Sequence, residues 1–184
     1  MNPAADTIYI EATRKWMEKV VLGLNLCPFA KRPYTRETIR YVVLTSESPS
    51  DLSEMLQAEL TFLAESDPEE LETTLLIHPN CLLDFNDYND YLEDADQLLV
   101  DLELEGEIQI ASFHPQYQFA DTEPEDPENY TNRSPYPMLH LLREDSISWA
   151  VDTFPEAENI PEQNIATMNK LGIEKIKALL KQGE

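Results

Sequence analysis

Positive charge is scarce in this chain. Its 184 residues include 13 Lys and Arg against 36 Asp and Glu, for a formal net charge of -23. The segment from Tyr41 to Asn132 contains no Lys or Arg and holds 24 of the acidic residues. Clustered basic side chains recognise nucleic acids and anionic bilayers, so the composition argues against both partners. The acidic excess has two interpretations, a solvated surface or a docking surface for a basic protein partner.

Glycine, cysteine and long apolar runs are also scarce. The four glycines form no phosphate-cradling pattern, which argues against nucleotide binding through a glycine-rich loop. No run reaches the roughly 18 apolar residues of a membrane span, and the first residues lack the order of a secretory signal. We therefore expect a cytoplasmic protein with no membrane contact. The two cysteines are expected to remain thiols.

Helix-like and strand-like patterns alternate along the chain. The strand-like segments are "TIRYVVLT", "TTLLIHP" and "IQIASFHP". They predict one α/β domain over residues 1–184, with a small three-stranded, mainly parallel sheet, flanking helices and an N-terminal helix. An α+β two-layer sandwich with a mixed sheet is the alternative. Two C-terminal helices are expected, one over "PMLHLLREDSISWAVDTF" and one at about 161–182.

Candidate functional residues follow the second and third predicted strands. Because the carboxyl ends of parallel strands meet at one edge of a sheet, His78 and His114 should lie along the same edge. The acidic loop at 115–134 is longer than most connections in compact domains. Its tyrosines, including Tyr117, predict an ordered lid or binding loop rather than disorder.

The segment after this loop carries an Arg and His constellation. If a helix begins near Met138, then His140, Arg143 and Glu144 have the spacing that places them on one face. Arg133 and Arg143 could grip the carboxylate or phosphate of a small anionic molecule with paired hydrogen bonds. The alternative is that they pair with nearby acidic side chains. Both interpretations stay open.

Cys27 lies between a predicted helix and Pro28. At a helix end its pKa would rise, whereas at the start of a helix opened by Pro28 its pKa would fall. The sequence leaves both geometries open, as well as a plain core position. Three histidines and two cysteines could also supply metal ligands, but no strong ligand spacing is present, so no metal ligand is assigned.

Four segments together resemble the bacterial family known as domain of unknown function family 1415. They are "GLNLCPFAKRP", "DFNDYNDYLEDAD", "IQIASFHPQYQFA" and "NYTNRSPYPMLHLLRE". The likeness runs from about Trp16 to Asn164 and implies no activity and no cofactor. It implies that the following positions match hallmark segments of the family: Asn25, Cys27, Pro28, His114, Pro115, Tyr117, Asn132, Arg133, Tyr136, His140, Arg143 and Glu144.

The leading hypothesis is a small enzyme that acts on an anionic metabolite. Its catalytic residues would be Cys27, His114 and His140, because imidazole moves protons near neutral pH and a thiol can act as a nucleophile. The substrate-binding residues would be Arg133, Arg143, Asn132, Tyr117, Tyr136 and Glu144. One alternative is a non-catalytic module that binds a small ligand or a protein, and a second is a metal-binding protein. The sequence assigns no cofactor and no reaction class.

Overall fold

A computed structural model describes residues 3–181 and has an α/β fold. In this range the α-helices are α1 (Pro3–Trp16), α2 (Lys31–Arg36), α3 (Pro49–Glu65), α4 (Phe85–Asp101), α5 (Glu144–Thr153), α6 (Ile160–Leu171) and α7 (Ile173–Lys181). The strands are β1 (Ile39–Val43), β2 (Thr73–Ile77), β3 (Ile108–Phe113) and β4 (Met138–Arg143). A π-helix spans Met17–Leu22, and 3-10 helices span Pro28–Ala30, Pro127–Thr131 and Ala157–Asn159. The α/β prediction is confirmed.

The four strands form one mixed sheet in the order β1-β2-β4-β3. β1 and β2 are parallel, and β4 runs antiparallel to both β2 and β3. The predicted three-stranded, mainly parallel sheet is therefore wrong, and the mixed sheet of the alternative fits. β1, β2 and β3 nevertheless point in one direction, because β4 reverses the direction between β2 and β3.

β4 replaces the helix that was predicted to begin near Met138. The strand is a short apolar run in which Met138, Leu139 and Leu141 are buried. Periodicity cannot distinguish such a run from a buried turn of helix. Because side chains alternate along a strand, His140 and Arg143 project to opposite faces of the sheet. The expected shared helical face for His140, Arg143 and Glu144 does not exist.

Helices cover both faces of the sheet, so the fold has three layers rather than two. On one face, α3 packs against β2 and α4 packs against β3, and we call this the α3–α4 face. Its fully buried side chains include Leu52, Leu56, Leu60, Leu63, Leu76, Tyr88, Leu139 and Leu141. On the other face, α1, the π-helix, α6 and α7 cover the sheet, and we call this the Trp16 face. Its buried side chains include Trp16, Val20, Leu75, Ile77, Met138, Met168 and Ile176.

Local residues set two of the helix ends. The side chain of Ser48 accepts from the Asp51 N–H at the start of α3, and Pro49 occupies the first turn. The single helix expected at about 161–182 is interrupted at Gly172, whose φ of 80° is readily adopted only by glycine. The chain turns there from α6 into α7.

No helix within residues 3–181 combines the length and the apolar character that a membrane crossing requires.

Candidate functional site

Two of the three histidines meet at the edge where β2 and β3 end. The ring of Tyr88 lies between them, with ring centroids 5.8 Å from His78 and 5.0 Å from His114. Both imidazoles are fully buried. The predicted proximity of His78 and His114 is confirmed, because both strands point toward the same edge.

The hydrogen bonds of these two rings assign their tautomers. His114 Nδ1 accepts from the Gln116 N–H at 3.0 Å, so Nε2 carries the proton that is donated to the Leu82 carbonyl at 3.2 Å. His78 Nδ1 donates to the Cys81 carbonyl at 3.0 Å, while its buried Nε2 has no partner among the described residues. Burial lowers the pKa of His114, and it lowers the pKa of His78 to about 4. Both rings are therefore neutral near pH 7.

His140 belongs to a separate pair on the Trp16 face. Its Nε2 lies 2.6 Å from Thr73 Oγ1, and the Thr73 hydroxyl donates to the Leu141 carbonyl at 2.6 Å. Since the hydroxyl has one proton, His140 must donate from Nε2 and keep a lone pair on Nδ1. Burial lowers the pKa of His140 to about 4. Its ring also contacts Phe113, with centroids 6.2 Å apart.

Both central arginines are bound to backbone carbonyl groups. Arg133 donates to the carbonyls of Tyr117 at 3.0 Å and Pro124 at 2.7 Å, and its guanidinium stacks 4.1 Å above the Tyr130 ring. Arg143 donates to three carbonyls that follow or end α3: Leu63, Ser66 and Leu71. These contacts give each arginine a structural role, in the acidic loop for Arg133 and at the end of α3 for Arg143.

The loop at 115–134 is organised by a residue that sequence reasoning missed. Asn129 is fully buried, and its Oδ1 accepts from the Phe119 N–H and from Thr122 Oγ1, each at 2.9 Å. Its Nδ2 donates to the Glu123 carbonyl at 2.7 Å. No motif in the sequence distinguishes this asparagine from its neighbours.

Cys27 precedes the 3-10 helix Pro28–Ala30. Of the two geometries that the sequence left open, this is the start of a helix opened by Pro28. Burial raises the pKa of the Cys27 thiol, and the N–H groups of Ala30 and Phe29 act in the opposite direction but more weakly. Among the residues described, no hydrogen bond joins the thiol to a histidine. The expected fall in pKa at a helix start is therefore reversed by desolvation.

A cavity of about 410 Å³ lies beside Cys27 on the Trp16 face, and we call it the Cys27 cavity. Segments far apart in the chain form it: the end of the π-helix, the end of β3, the acidic loop and the first turns of α6. Its lining residues are Val21, Leu26, Cys27, Phe113, Phe119, Glu128, Thr131, Asn132, Pro161, Asn164 and Ile165. Six of these eleven are apolar, so the cavity combines an apolar wall with a few polar groups.

The predicted site residues are distributed over several places. Cys27 and Asn132 line the Cys27 cavity, Arg133 lines a polar groove of about 400 Å³, and Glu144 lines an acidic groove of about 510 Å³ beside α4 and β3. Tyr117 packs between Phe85 and Phe119, with ring centroids 5.2 and 5.0 Å away. Tyr136 packs edge-to-face on Tyr9 at 4.9 Å.

Potential metal ligands are also separated. Across residues 3–181, no three His, Cys, Asp or Glu side chains are grouped so that they could hold a metal ion. His78 and Cys81 are close in sequence, but the contact between them is the hydrogen bond from the imidazole to the Cys81 backbone.

Comparison with known proteins identifies the family. No curated protein matches the chain, and no solved structure matches it. A family model described as "Protein of unknown function (DUF1415)" matches residues 8–178, nearly the whole chain and including every predicted site residue. The chain belongs to this family.

Proposed function

We propose that the protein binds a small, largely apolar molecule in the Cys27 cavity. The observation that supports this proposal is the cavity itself, whose volume of about 410 Å³ falls in the range of small-molecule sites. Its combination of an apolar wall with a few polar groups is typical of such sites. By contrast, the acidic groove of about 510 Å³ is lined by four carboxylates, as expected for a solvated surface.

Local contacts hold the wall of the cavity in place. Val21 and Leu26 are buried, and the N–H of Leu26 donates to the Val21 carbonyl at 2.9 Å. Asn164 Nδ2 donates to the Leu26 carbonyl at 2.8 Å and so connects α6 to the N-terminal part of the chain. Phe113 is fixed from behind by an edge-to-face contact with Trp16 at 5.4 Å. A preformed wall lowers the ordering cost of binding.

In this proposal Cys27 and Asn132 contact the ligand, while the histidines and arginines maintain the fold around it. The neutral Cys27 thiol acts as a polarisable wall atom. Nucleophilic catalysis by Cys27 is not proposed, because its pKa is raised and no described hydrogen bond links it to a base. The hydrogen bonds of Arg133 and Arg143 to carbonyl groups likewise give no support to an anionic substrate held by these two residues.

The proposal is tested with 1-hexanol as the probe, followed by methyl NMR. Burial contributes about 0.8 kcal/mol per methylene, so a six-carbon chain supports a Kd of about 1 mM. We expect saturable shifts at the methyl groups of Val21, Leu26 and Ile165. The methyl groups of Leu52 and Leu60, on the α3–α4 face, serve as the internal control and should not shift.

A blocking variant provides the matched control. Ile165→Trp enlarges a cavity-lining side chain that is 38% exposed, whereas Ile8→Trp makes the same change at an exposed position away from the cavity. We expect Ile165→Trp to abolish the hexanol shifts and Ile8→Trp to preserve them. Shifts that are unsaturable, or that persist in Ile165→Trp, would contradict the proposal.

A further inference from the structure

We propose that the natural ligand of the Cys27 cavity is a small amphipathic amine, whose ammonium group is bound by Glu128 and Asn164. This inference rests on the proposed function and specifies the chemical class of the ligand. The choice of an amine depends on which polar groups of the cavity lining already have hydrogen-bond partners and which do not.

Some of the donors in the lining are already used. Asn132 Nδ2 donates to the Ser112 carbonyl at 3.2 Å, and its Oδ1 accepts from Thr131 Oγ1. The Thr131 hydroxyl, with one proton, is directed at the Glu128 carbonyl at 2.8 Å and at Asn132 Oδ1 at 3.2 Å. Thr131 therefore has no side-chain donor left for a ligand, and Asn132 keeps one of its two neutral N–H groups. The Cys27 thiol is a weak donor.

Two acceptors in the lining remain free. Asn164 must present Nδ2 to the Leu26 carbonyl, because a carbonyl only accepts, so Oδ1 is the free end of its amide. Within residues 3–181, this oxygen has no hydrogen-bond partner, and the half-buried Glu128 carboxylate has neither a hydrogen bond nor an ion pair. An ammonium group has three donors and no acceptor, which complements this set of groups.

No positive side chain is available to hold an anion in the cavity. The eleven lining residues include no Lys, Arg or His. Lys177, on nearby α7, forms an ion pair with Glu125 at 2.5 Å, and Arg133 is bound to carbonyls. A ligand carboxylate or phosphate would therefore lie near Glu128 without a compensating charge, which is unfavourable in a partly desolvated site.

The first turn of α6 is a feature that favours an anion. Backbone N–H groups at a helix start attract negative charge, but only modestly at an exposed end. The residue of this turn that lines the cavity is Pro161, which has no N–H, and Glu162 adds a carboxylate to the same turn. A direct hydrogen bond to a charged group contributes more to binding than this attraction does. The attraction of the Glu128 carboxylate for a cation is thus stronger than the attraction of the helix start for an anion.

Three probes with the same chain length test the inference: hexylammonium, 1-hexanol and hexanoate at pH 7. We expect hexylammonium to bind about tenfold more tightly than hexanol, and hexanoate to bind more weakly than both. The Kd of each is measured from the shifts of the Val21, Leu26 and Ile165 methyl groups. Binding of none of the three would contradict the proposed function itself. Hexanoate binding at least as tightly as hexylammonium would overturn the amine inference alone.

A pair of charge-neutral variants assigns the effect to one carboxylate. Glu128→Gln should weaken hexylammonium binding about tenfold and leave hexanol binding unchanged. Glu162→Gln removes an equal charge from a nearby exposed side chain that does not line the cavity, and should leave both affinities nearly unchanged. Equal losses in the two variants would show a general effect of net charge and would overturn the assignment of Glu128.

Discussion

The two faces of the sheet differ in how completely they are packed. On the α3–α4 face, four leucines of α3 are fully buried against the strands. On the Trp16 face, the chain changes from α1 to a π-helix, and the Cys27 cavity lies beside the end of that helix. Each face has a buried polar atom without a partner among the described residues, His78 Nε2 on the α3–α4 face and Trp16 Nε1 on the Trp16 face. The α3–α4 face supplies stability, whereas the Trp16 face leaves the space that forms the Cys27 cavity.

The irregularity on the Trp16 face has a local cause. The π-helix ends at Gly23, where an added Cβ would lie 2.4 Å from the Lys19 carbonyl oxygen. Only glycine fits such a close approach of the backbone. Because π-helical turns are rare and frequently occur at functional sites, the position of this one beside the cavity agrees with the proposed binding role.

The largest expected effect compares one leucine from each face. Leu60→Ala on the α3–α4 face should reduce the free energy of unfolding by about 3 to 5 kcal/mol, because it opens a new void in close packing. Leu26→Ala should cost only about 1 to 2 kcal/mol, because Leu26 already borders a cavity and has fewer contacts to lose. Urea denaturation of both variants measures the difference. Equal losses would mean that the two faces are equally well packed.

Acid should weaken both faces, because each contains a buried neutral imidazole. His78 packs on Tyr88 of the α3–α4 face, and burial lowers its pKa to about 4. The unfolded chain takes up this proton at a pH of about 6.5, so the stability from neutral His78 is complete above that pH. It is lost as the pH falls to about 4, and the total loss is about 3 kcal/mol.

His78→Phe isolates this effect, because Phe keeps the stacked ring and cannot titrate. Denaturation midpoints are compared at pH 7 and pH 4.5. The many carboxylates affect wild type and variant alike, so the difference between the two proteins reports the imidazole. We expect the stability of the variant relative to wild type to increase by about 2 kcal/mol between pH 7 and pH 4.5. Parallel pH curves would show that His78 is not buried as a neutral ring.

The two central arginines provide a smaller contrast. Arg143→Met should lower the free energy of unfolding by about 2 kcal/mol, because the carbonyls of Leu63, Ser66 and Leu71 lose a half-buried charged donor. Arg133→Met should lower the free energy of unfolding by only about 1 kcal/mol, because part of the Arg133 guanidinium faces solvent in the acidic loop. Urea denaturation of the two variants measures the loss of stability. Titration of each variant with hexanoate is the control for a role in anion binding. Weaker hexanoate binding in Arg133→Met would return this residue to an anion-binding role.

The sequence predicted those elements whose pattern is local. The segments "TIRYVVLT", "TTLLIHP" and "IQIASFHP" contain β1, β2 and β3, and their common direction brings His78 and His114 together. β4 was missed because "MLHLLR" is too short for its periodicity to separate a strand from a helix. That error placed His140 and Arg143 on one surface, although they lie on opposite faces of the sheet.

The candidate site was predictable only in part. Cys27 was chosen on chemical grounds and Asn132 through the family resemblance, and both line the same cavity, but Glu128 and Asn164 carry no motif. Lining residues 21 and 165 are far apart in the chain, and tertiary contacts such as the hydrogen bond from Asn164 to the Leu26 carbonyl bring α6 to the N-terminal part of the cavity wall. The sequence also could not show that Arg133 and Arg143 bind backbone carbonyls, because such contacts depend on tertiary structure.

The smallest expected effect is kinetic and concerns Cys27 itself. In a Cys81→Ser background, the rate of alkylation by iodoacetamide should stay low at pH 7 and rise only at alkaline pH, because burial raises the pKa of the thiol. Saturating 1-hexanol should slow the reaction about threefold or more by occupying the space beside the sulfur. A thiolate that reacts below pH 8 would show that the Phe29 and Ala30 N–H groups outweigh desolvation. In that case the Trp16 face would contain an activated nucleophile, and the enzymatic hypothesis for Cys27 would regain its support.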